Sequence, residues 1–134
     1  MLPFVGGGVL EKIVRDRIAL SEAATKFYAA QIVLGLEQLH GRNIIHRDMK
    51  LENVMVDSTG YIKIIDFGLA KICAPQEQTR TMCGTVEYLA PEIIRRTGYD
   101  KSVDWWAVGC IIYKMLFGIS PFHHKNRHVV MQKI

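Results

Sequence analysis

The chain has 134 residues, of which 49% are hydrophobic, and its formal net charge at pH 7 is +4. This composition fits one small domain with an apolar core and argues against wholesale disorder. The Lys and Arg residues are scattered along the chain, so the mild basic excess predicts a solvated surface and no nucleic-acid partner.

The N-terminal third shows helical patterns. Residues 9–17, which follow Gly6-Gly7-Gly8, are compatible with a short helix. Ser21 is a typical N-cap, and Gly41 suits the end of a helix. Apolar side chains at helical spacing predict a second helix between those two residues, at Tyr28, Ile32, Leu36 and Leu39.

A hairpin and a long irregular segment come next. Residues 54–56 and 61–65 are rich in β-forming side chains, and Asp57-Ser58-Thr59-Gly60 between them is typical of a turn. Periodicity disappears over residues 68–87, as expected of a long functional loop. A further helix is expected from about Pro91.

The most apolar segment, residues 103–117, is interrupted by Asp104 and Lys114. It is shorter than the ~20 residues that a membrane span needs, so we expect no span and a buried helix over residues 102–117. Residues 118–121 carry glycine and proline and should end it. The sequence therefore predicts a mainly helical chain with one central hairpin.

The three cysteines, Cys73, Cys83 and Cys110, are odd in number and fit no zinc spacing. Reduced thiols predict a cytoplasmic or nuclear protein, and the N-terminus shows no signal-peptide pattern. Cys83 lies in the long loop, where a packed thiol is favoured over a redox-sensitive one.

The strongest functional signal is His46-Arg47-Asp48-Met49-Lys50-Leu51-Glu52-Asn53. Phosphoryl transfer needs a carboxylate that orients the attacking hydroxyl and accepts its proton, which suits Asp48. A nearby cation that neutralises charge on the γ-phosphate suits Lys50. Asn53 supplies a neutral oxygen for Mg²⁺. The alternative is a solvated charged turn, which the next motif makes less favoured.

That motif is Asp66-Phe67-Gly68, which begins thirteen residues beyond Asn53. Asp66 would hold the metal that bridges the β- and γ-phosphates. Phe67 is expected to pack inward and orient Asp66, and Gly68 to permit a backbone swing. Alone the tripeptide is weak evidence of function. Its position across a predicted hairpin from the first motif makes it strong evidence.

Ala90-Pro91-Glu92 supplies a third element at the expected distance. With these motifs, residues 4–134 resemble the large lobe of a eukaryotic protein kinase. Lys50, two residues past the predicted catalytic Asp, is the pattern of serine/threonine kinases. The run from Thr81 to Glu92, and Asp104-Trp105-Trp106-Ala107-Val108-Gly109, are similar to the AGC group, which includes the cyclic-nucleotide-dependent kinases and protein kinase C.

The resemblance implies a mainly α large lobe with a short β-hairpin, ATP and Mg²⁺ as cofactors, and protein Ser/Thr hydroxyls as substrates. It implies that Thr85 contacts Asp48 and Lys50 and that Asp104 braces the catalytic-loop backbone. The implied nucleotide contacts are Lys50, Asn53, Met55 and Asp66, with the metal on Asn53 and Asp66. The implied structural residues are His46, Phe67, Gly68, Glu92 and Asp104.

Regulation is implied at Thr81, four residues before Thr85, where AGC-like kinases carry an activating phosphothreonine. Its phosphate would meet Arg47 and Lys71 in charge-assisted hydrogen bonds and would require an upstream activating kinase. The alternatives are an unmodified hydroxyl or modification of the neighbouring Thr79.

Many AGC kinases prefer Arg before the acceptor and recognise it with carboxylates at the hinge, in the catalytic loop and on the buried helix. Here Glu52 keeps the catalytic-loop carboxylate, but Val9 takes the hinge position and Lys114 the helix position, with Glu11 offset by two residues. Because an ammonium group repels a substrate Arg, we expect weakened selection for Arg, with Glu11 as a candidate compensating group.

By this resemblance residues 1–134 are a partial kinase domain: hinge end at residues 6–8, catalytic loop, activation segment and central buried helix. The small lobe, with its glycine-rich loop and ATP-anchoring Lys, and the last helices, with an Arg partner for Glu92, would be missing. One hypothesis is therefore a piece of an active kinase that needs the rest of its chain. The other is an inactive, short kinase-like product that acts by binding or as a scaffold. The isolated chain is expected to be inactive in both cases.

Overall fold

The computed structural model describes residues 8–134. The predicted hinge end therefore lies outside the described residues, except for Gly8. The helices are α1 (Leu10–Arg17), α2 (Glu22–His40), α3 (Pro91–Arg95), α4 (Ser102–Phe117) and α5 (Arg127–Lys133), and the strands are β1 (Gly8–Val9), β2 (Ile44–Ile45), β3 (Val54–Val56), β4 (Ile62–Ile64) and β5 (Lys71–Ile72).

Helix α2 forms where the sequence predicts it. Ser21 Oγ accepts a hydrogen bond from the Ala24 backbone N–H at 3.2 Å, which satisfies one of the free donors of the first turn. The helix ends at Gly41, but Gly41 has a right-handed φ of −66°. The left-handed residue that turns the chain afterwards is Asn43, with φ 58°.

Helix α4 has the predicted bounds and is the centre of the fold. It packs against α2, and its apolar side chains share one core with α1 and α2. Gly118 ends it in a left-handed conformation with φ 76°, where a Cβ atom would collide with the Ile18 carbonyl oxygen. The end of α4 and the end of α1 are therefore held in direct contact by a residue that must be glycine. Fully buried members of this core are Leu10, Ile32, Leu36, Ile111 and Met115.

The predicted hairpin is confirmed as the antiparallel pair β3–β4, with Val54 opposite Ile64 and Val56 opposite Ile62. The Asp57 carboxylate accepts hydrogen bonds from the backbone of the turn, and Gly60 has φ 90°. Strand β1 adds to the other edge of β3. No sequence pattern predicts β1, because a two-residue strand carries no periodic signal.

Residues 68–87 are less irregular than predicted. Strand β5 pairs antiparallel with β2, and Thr79 forms an isolated bridge with Tyr99. The residues around these contacts form part of a second, smaller hydrophobic core, which includes Ile45, Leu89, Ile93, Tyr99 and Val103. The predicted catalytic loop follows Ile45 of this second core, and its Met49 and Leu51 belong to the first core.

Helix α5 was not predicted. Asn126 caps it, because its side-chain oxygen accepts from the His128 N–H at 2.8 Å, and Val130 is buried. The Asn cap followed by an apolar pair was a usable signal in the sequence. Within residues 8–134, no helix is long and apolar enough to cross a membrane.

Candidate active site

Asp104 on α4 holds the backbone of the loop that carries Asp48. Its carboxylate is 1% exposed and accepts hydrogen bonds from the His46 N–H and the Arg47 N–H, each at 2.9 Å. His40 Nε2 donates to the same group at 2.8 Å. A buried carboxylate is stable only with such partners. The contact implied between Asp104 and the loop backbone is therefore present.

His46 is fully buried and links the loop to the strand that precedes Asp66. Its Nδ1 accepts from the Asp48 N–H at 3.3 Å, and its Nε2 lies 3.1 Å from the Ile65 carbonyl oxygen. Because Nδ1 must accept, the proton resides on Nε2, which donates to Ile65. The ring thus fixes the positions of both acidic residues.

Asp48, Lys50 and Thr85 form one contact group. Thr85 donates to Asp48 Oδ1 through its backbone N–H at 3.0 Å and its hydroxyl at 2.8 Å. Lys50 Nζ lies 2.8 Å from Asp48 Oδ2 and 3.0 Å from Thr85 Oγ1. The implied contact of Thr85 with both residues is present, and it joins the loop after α2 to the segment before α3.

Asn53 is positioned by the same carboxylate. Its Nδ2 donates to the Asp48 carbonyl oxygen at 2.8 Å and to Asp48 Oδ2 at 3.3 Å, so its Oδ1 remains an acceptor. The Asn53 carbonyl accepts from the Ile65 N–H at 2.9 Å, which brings Asp66 next to it. No group of three or more His, Cys, Asp or Glu side chains that could hold a metal occurs in the described residues.

Asp66 and its neighbours differ from the sequence expectation. Phe67 contacts the His46 ring edge-on with centroids 5.2 Å apart, but 48% of its surface is exposed, so the inward packing expected of it is wrong. Gly68 has no left-handed φ. Asp66 does, at 61°, and its Oδ1 accepts from the Gly68 N–H at 3.1 Å. Short polar side chains tolerate this conformation because they bond their own backbone.

Met55, the predicted nucleotide contact, lies on β3 with 37% of its surface exposed, between the buried Val54 and Val56. Alternation along a strand places it on the opposite face from the core. It is therefore accessible to a ligand.

Thr81 is exposed, whereas Thr79 is only 5% exposed. The Thr81 carbonyl accepts from the Tyr99 hydroxyl at 2.7 Å. Burial and the Cys83 thiol raise the pKa of that hydroxyl, and Arg47 opposes the shift. Tyr99, which sequence reasoning missed, thus holds the Thr81 backbone.

The two cations predicted for Thr81 have other partners in this structure. Arg47 Nε donates to the Leu69 carbonyl oxygen at 2.6 Å, and Lys71 Nζ lies 3.2 Å from Glu77 Oε1. No direct contact with the Thr81 side chain is present in the described residues.

Gly84 is a second residue that the sequence analysis missed. Its φ is 105°, and a Cβ atom there would lie 2.7 Å from the Arg47 carbonyl oxygen. Only glycine fits both the backbone conformation and this close approach. The signal was the glycine directly before Thr85.

The predicted substrate residues lie around the short 3₁₀ turn Val86–Tyr88. Lys114 Nζ donates to the Tyr88 hydroxyl at 3.3 Å, and Glu52 is exposed. Glu11 lines the same groove as Lys114 but is already paired with Arg15 at 3.0 Å. Val9 is in β1, opposite Met55.

Glu92 on α3 accepts from the Ser102 hydroxyl at 3.5 Å. No ion pair joins it to an arginine within residues 8–134. The predicted structural role of Glu92 therefore remains a prediction.

Comparison with known proteins gives a consistent result. A family model described as the protein kinase domain matches residues 1–134. The whole chain is 47% identical to the cAMP-dependent protein kinase catalytic subunit of Dictyostelium discoideum and 46% identical to mouse cAMP-dependent protein kinase catalytic subunit PRKX. It is also 47% identical to the serine/threonine-protein kinase akt-2 of Caenorhabditis elegans. The chain spans 20%, 37% and 26% of the lengths of these three relatives.

Proposed function

Because the chain belongs to the protein kinase domain family and resembles serine/threonine kinases of the AGC type, we propose that it carries the phosphotransfer centre of such a kinase. The reaction would move the γ-phosphate of ATP to a Ser or Thr hydroxyl of a protein. The observation that carries the proposal is the Thr85 hydroxyl, which contacts both Asp48 and Lys50. Such an arrangement positions a base and a cation at one point.

Asp48 would act on the acceptor hydroxyl. Two Thr85 donors hold Oδ1, while Oδ2 faces Lys50 and Asn53. As the hydroxyl oxygen bonds to the γ-phosphorus and the bond to the bridging oxygen breaks, the hydroxyl proton passes to the Asp48 carboxylate. The Lys50 ammonium lies at the position where negative charge builds up, so it lowers the barrier electrostatically.

Asn53 and Asp66 fit Mg²⁺ by the chemistry of their donors. One carboxylate and one amide oxygen, with the other ligands left to phosphates and water, are typical of magnesium in phosphotransfer sites. When bound, the metal supplies neutralisation of phosphate charge. The chain itself places Asp66 beside Asn53, through the hydrogen bond from the Ile65 N–H to the Asn53 carbonyl.

The test is Asp48→Asn in the natural full-length protein. The amide cannot accept the proton, so turnover should fall by ~10²–10⁴-fold. Asp16→Asn, the same chemical change at an exposed position on α1, is the matched control and should leave turnover unchanged. Phosphate transfer from labelled ATP to peptides is the readout. Undiminished turnover of Asp48→Asn would contradict the assigned role, and a folded parent without transfer would favour the binding or scaffold alternative.

We further propose a cytoplasmic or nuclear location. All three cysteines are free thiols, and burial raises the pKa of the Cys110 thiol to about 11, so it stays protonated. Cell fractionation tests this proposal. Recovery of the protein in a secreted or lumenal fraction would contradict it.

A further inference from the structure

A cavity of roughly 320 Å³ lies where the end of α2 and strand β2 meet the segment after β5 and the residues before α4. Its volume is within the range of sites that bind small organic molecules. Neither Asp48 nor Thr85 lines it, so it is separate from the proposed phosphotransfer site.

One residue of the lining, His40, has a buried ring nitrogen without a partner. His40 is 6% exposed, and its Nε2 donates to Asp104 Oδ2 at 2.8 Å. In an uncharged imidazole the other nitrogen, Nδ1, then offers a lone pair, and no described residue donates to it. A buried acceptor without a donor costs stability, so this atom beside a cavity indicates a place for a donor on a ligand.

An apolar surface accompanies His40 in the lining. Ile45 is 2% exposed and Cys73 is 6% exposed, and Ile44 and Pro75 line the same cavity. The Cys73 thiol donates to the Glu77 carbonyl at 3.2 Å, so its proton is already used and its sulfur presents a polarisable, weakly polar surface. An apolar ring that carries one donor is the shape and chemistry that complement this lining.

The charged groups of the lining already have partners. Glu77 Oε1 lies 3.2 Å from Lys71 Nζ. Asp100 accepts from the Ser102 N–H at 2.8 Å, and Lys101 beside it also lines the cavity. An ion placed there would have to compete with these partners, whereas an uncharged ligand would not.

The cavity joins two parts of the chain that are held differently. On one side, His40 holds Asp104, which in turn binds the backbone of the loop that carries Asp48. On the other side lie residues 73–78, whose backbone contact with this region is the hydrogen bond from the Cys73 N–H to the Asn43 carbonyl at 2.8 Å. A ligand that contacts both sides stabilises the closed arrangement.

We propose that this cavity binds an uncharged aromatic small molecule that carries an N–H or O–H donor, with the donor on His40 Nδ1 and the ring against Ile45 and Cys73. Binding ties residues 73–78 to the end of α2 and reduces their opening. Through His40 and Asp104, the same contact reaches the loop that carries Asp48.

The test compares fused-ring probes of equal size by saturation-transfer NMR on the natural full-length protein, with the nucleotide site filled by Mg²⁺ and a non-hydrolysable ATP analogue. Indole carries an N–H donor, benzofuran lacks it, and benzoxazole carries acceptors only. Indole should bind about three- to tenfold more tightly than benzofuran, because only indole supplies the missing donor. Equal binding of indole and benzofuran overturns the proposal. Tightest binding of benzoxazole, or no binding of indole at millimolar concentration, also overturns it.

Matched variants locate the bound probe. Ala74 is exposed and lines the cavity, so Ala74→Phe should fill the space and weaken indole binding about tenfold or more. Ala23→Phe makes the same change at an exposed position on α2 that does not line the cavity, and it should leave binding unchanged. Unchanged indole binding in a folded Ala74→Phe variant overturns the assignment.

Alkylation of Cys73 by iodoacetamide supplies a readout that needs no variant. The side chain is buried, so the reagent reaches it only when residues 73–78 open. At a free indole concentration of ten times its Kd, alkylation of Cys73 should slow about tenfold, as measured by mass spectrometry. Cys83 is partly exposed and does not line the cavity, so its alkylation rate should not change. An unchanged rate at Cys73, or equal slowing at both cysteines, overturns the proposal.

Both readouts are independent of phosphate transfer, so this inference and the kinase proposal fail separately. Transfer without indole binding leaves the kinase function standing and rejects the cavity. Indole binding at the cavity without transfer supports the cavity and rejects the kinase function.

Discussion

The catalytic loop and the segment that follows Asp66-Phe67-Gly68 are held in different ways. The loop backbone is bound by the buried groups of Asp104 and His46, and its side chains bond one another. The following segment is held by a two-residue strand, an isolated bridge and exposed polar contacts such as Lys71–Glu77. Few buried contacts mean a low free energy of local opening. The loop is therefore rigid, whereas the segment can open or rearrange at a low cost in free energy.

Asp104→Asn should have the largest effect on stability, because Asp104 holds the backbone of the rigid loop. An amide would turn donors toward one of the N–H groups that Asp104 now accepts from, so we expect a loss of roughly 3 kcal/mol of unfolding free energy. Chemical denaturation of the natural full-length protein measures it. Asp100→Asn, at an exposed carboxylate that accepts from the Ser102 N–H at 2.8 Å, is the control and should cost ~1 kcal/mol or less. Equal losses would erase the contrast between the regions.

Gly84→Ala tests the point where the two regions touch. The left-handed φ and the close Arg47 carbonyl both oppose a Cβ atom, so we expect a loss of about 2 kcal/mol in stability. Because Thr85 follows directly, phosphate transfer should fall as well. Gly109→Ala on α4, where a Cβ atom meets nothing within 4 Å, is the matched control and should be neutral or mildly stabilising. Thermal unfolding compares the two variants.

Thr81 phosphorylation should order the weakly held segment after Asp66-Phe67-Gly68 and so reduce its difference in rigidity from the loop. The added phosphate carries about −1.5 to −2 charges at pH 7 and would recruit Arg47 and Lys71 from their present partners. Mass spectrometry of the native protein should find phosphate on Thr81, and hydrogen exchange over residues 68–87 should slow. Thr79 is buried and should stay unmodified. Modification of Thr79 alone would refute the assignment.

Glu77→Gln should have the smallest effect, confined to the changeable segment. A hydrogen bond from the Ala74 N–H, and then Lys71, lowers the pKa of Glu77 below its usual value. A carboxylate whose pKa is lower in the folded state than in the unfolded state stabilises the fold at pH values above the unfolded-state pKa. That stabilisation is lost as the pH falls through the folded-state pKa. The protection factors for hydrogen exchange at residues 71–77, which are corrected for the intrinsic pH dependence of exchange, should therefore fall below about pH 4.5 in the parent and show no such step in Glu77→Gln. An identical pH profile in both proteins would contradict this prediction.

The sequence was most informative where one residue decides the local structure. The Ser21 cap, the Asp57–Gly60 turn and the bounds of α4 follow from local chemistry, and the structure confirms them. Strands β1 and β5 depend on partners far along the chain, so no local pattern could reveal them.

The site shows the same division. The family resemblance implies that Thr85 contacts Asp48 and Lys50, and both contacts are present. The exposure of Phe67 and the left-handed φ of Asp66 depend on what surrounds them in three dimensions. The Tyr99 link to Thr81 likewise needs the second core to bring residues 18 positions apart together.

The shared carboxylate of Asp104 constrains how this chain can diverge. At many sites a protein can lose some stability and keep its chemistry, or the reverse. Here one side chain serves as the anchor of the central helix and as the support of the loop, so the two properties change together. A variant that loses Asp104 therefore loses stability and loop support at once. Compensating changes elsewhere in the core would restore a folded chain without restoring the alignment of Asp48.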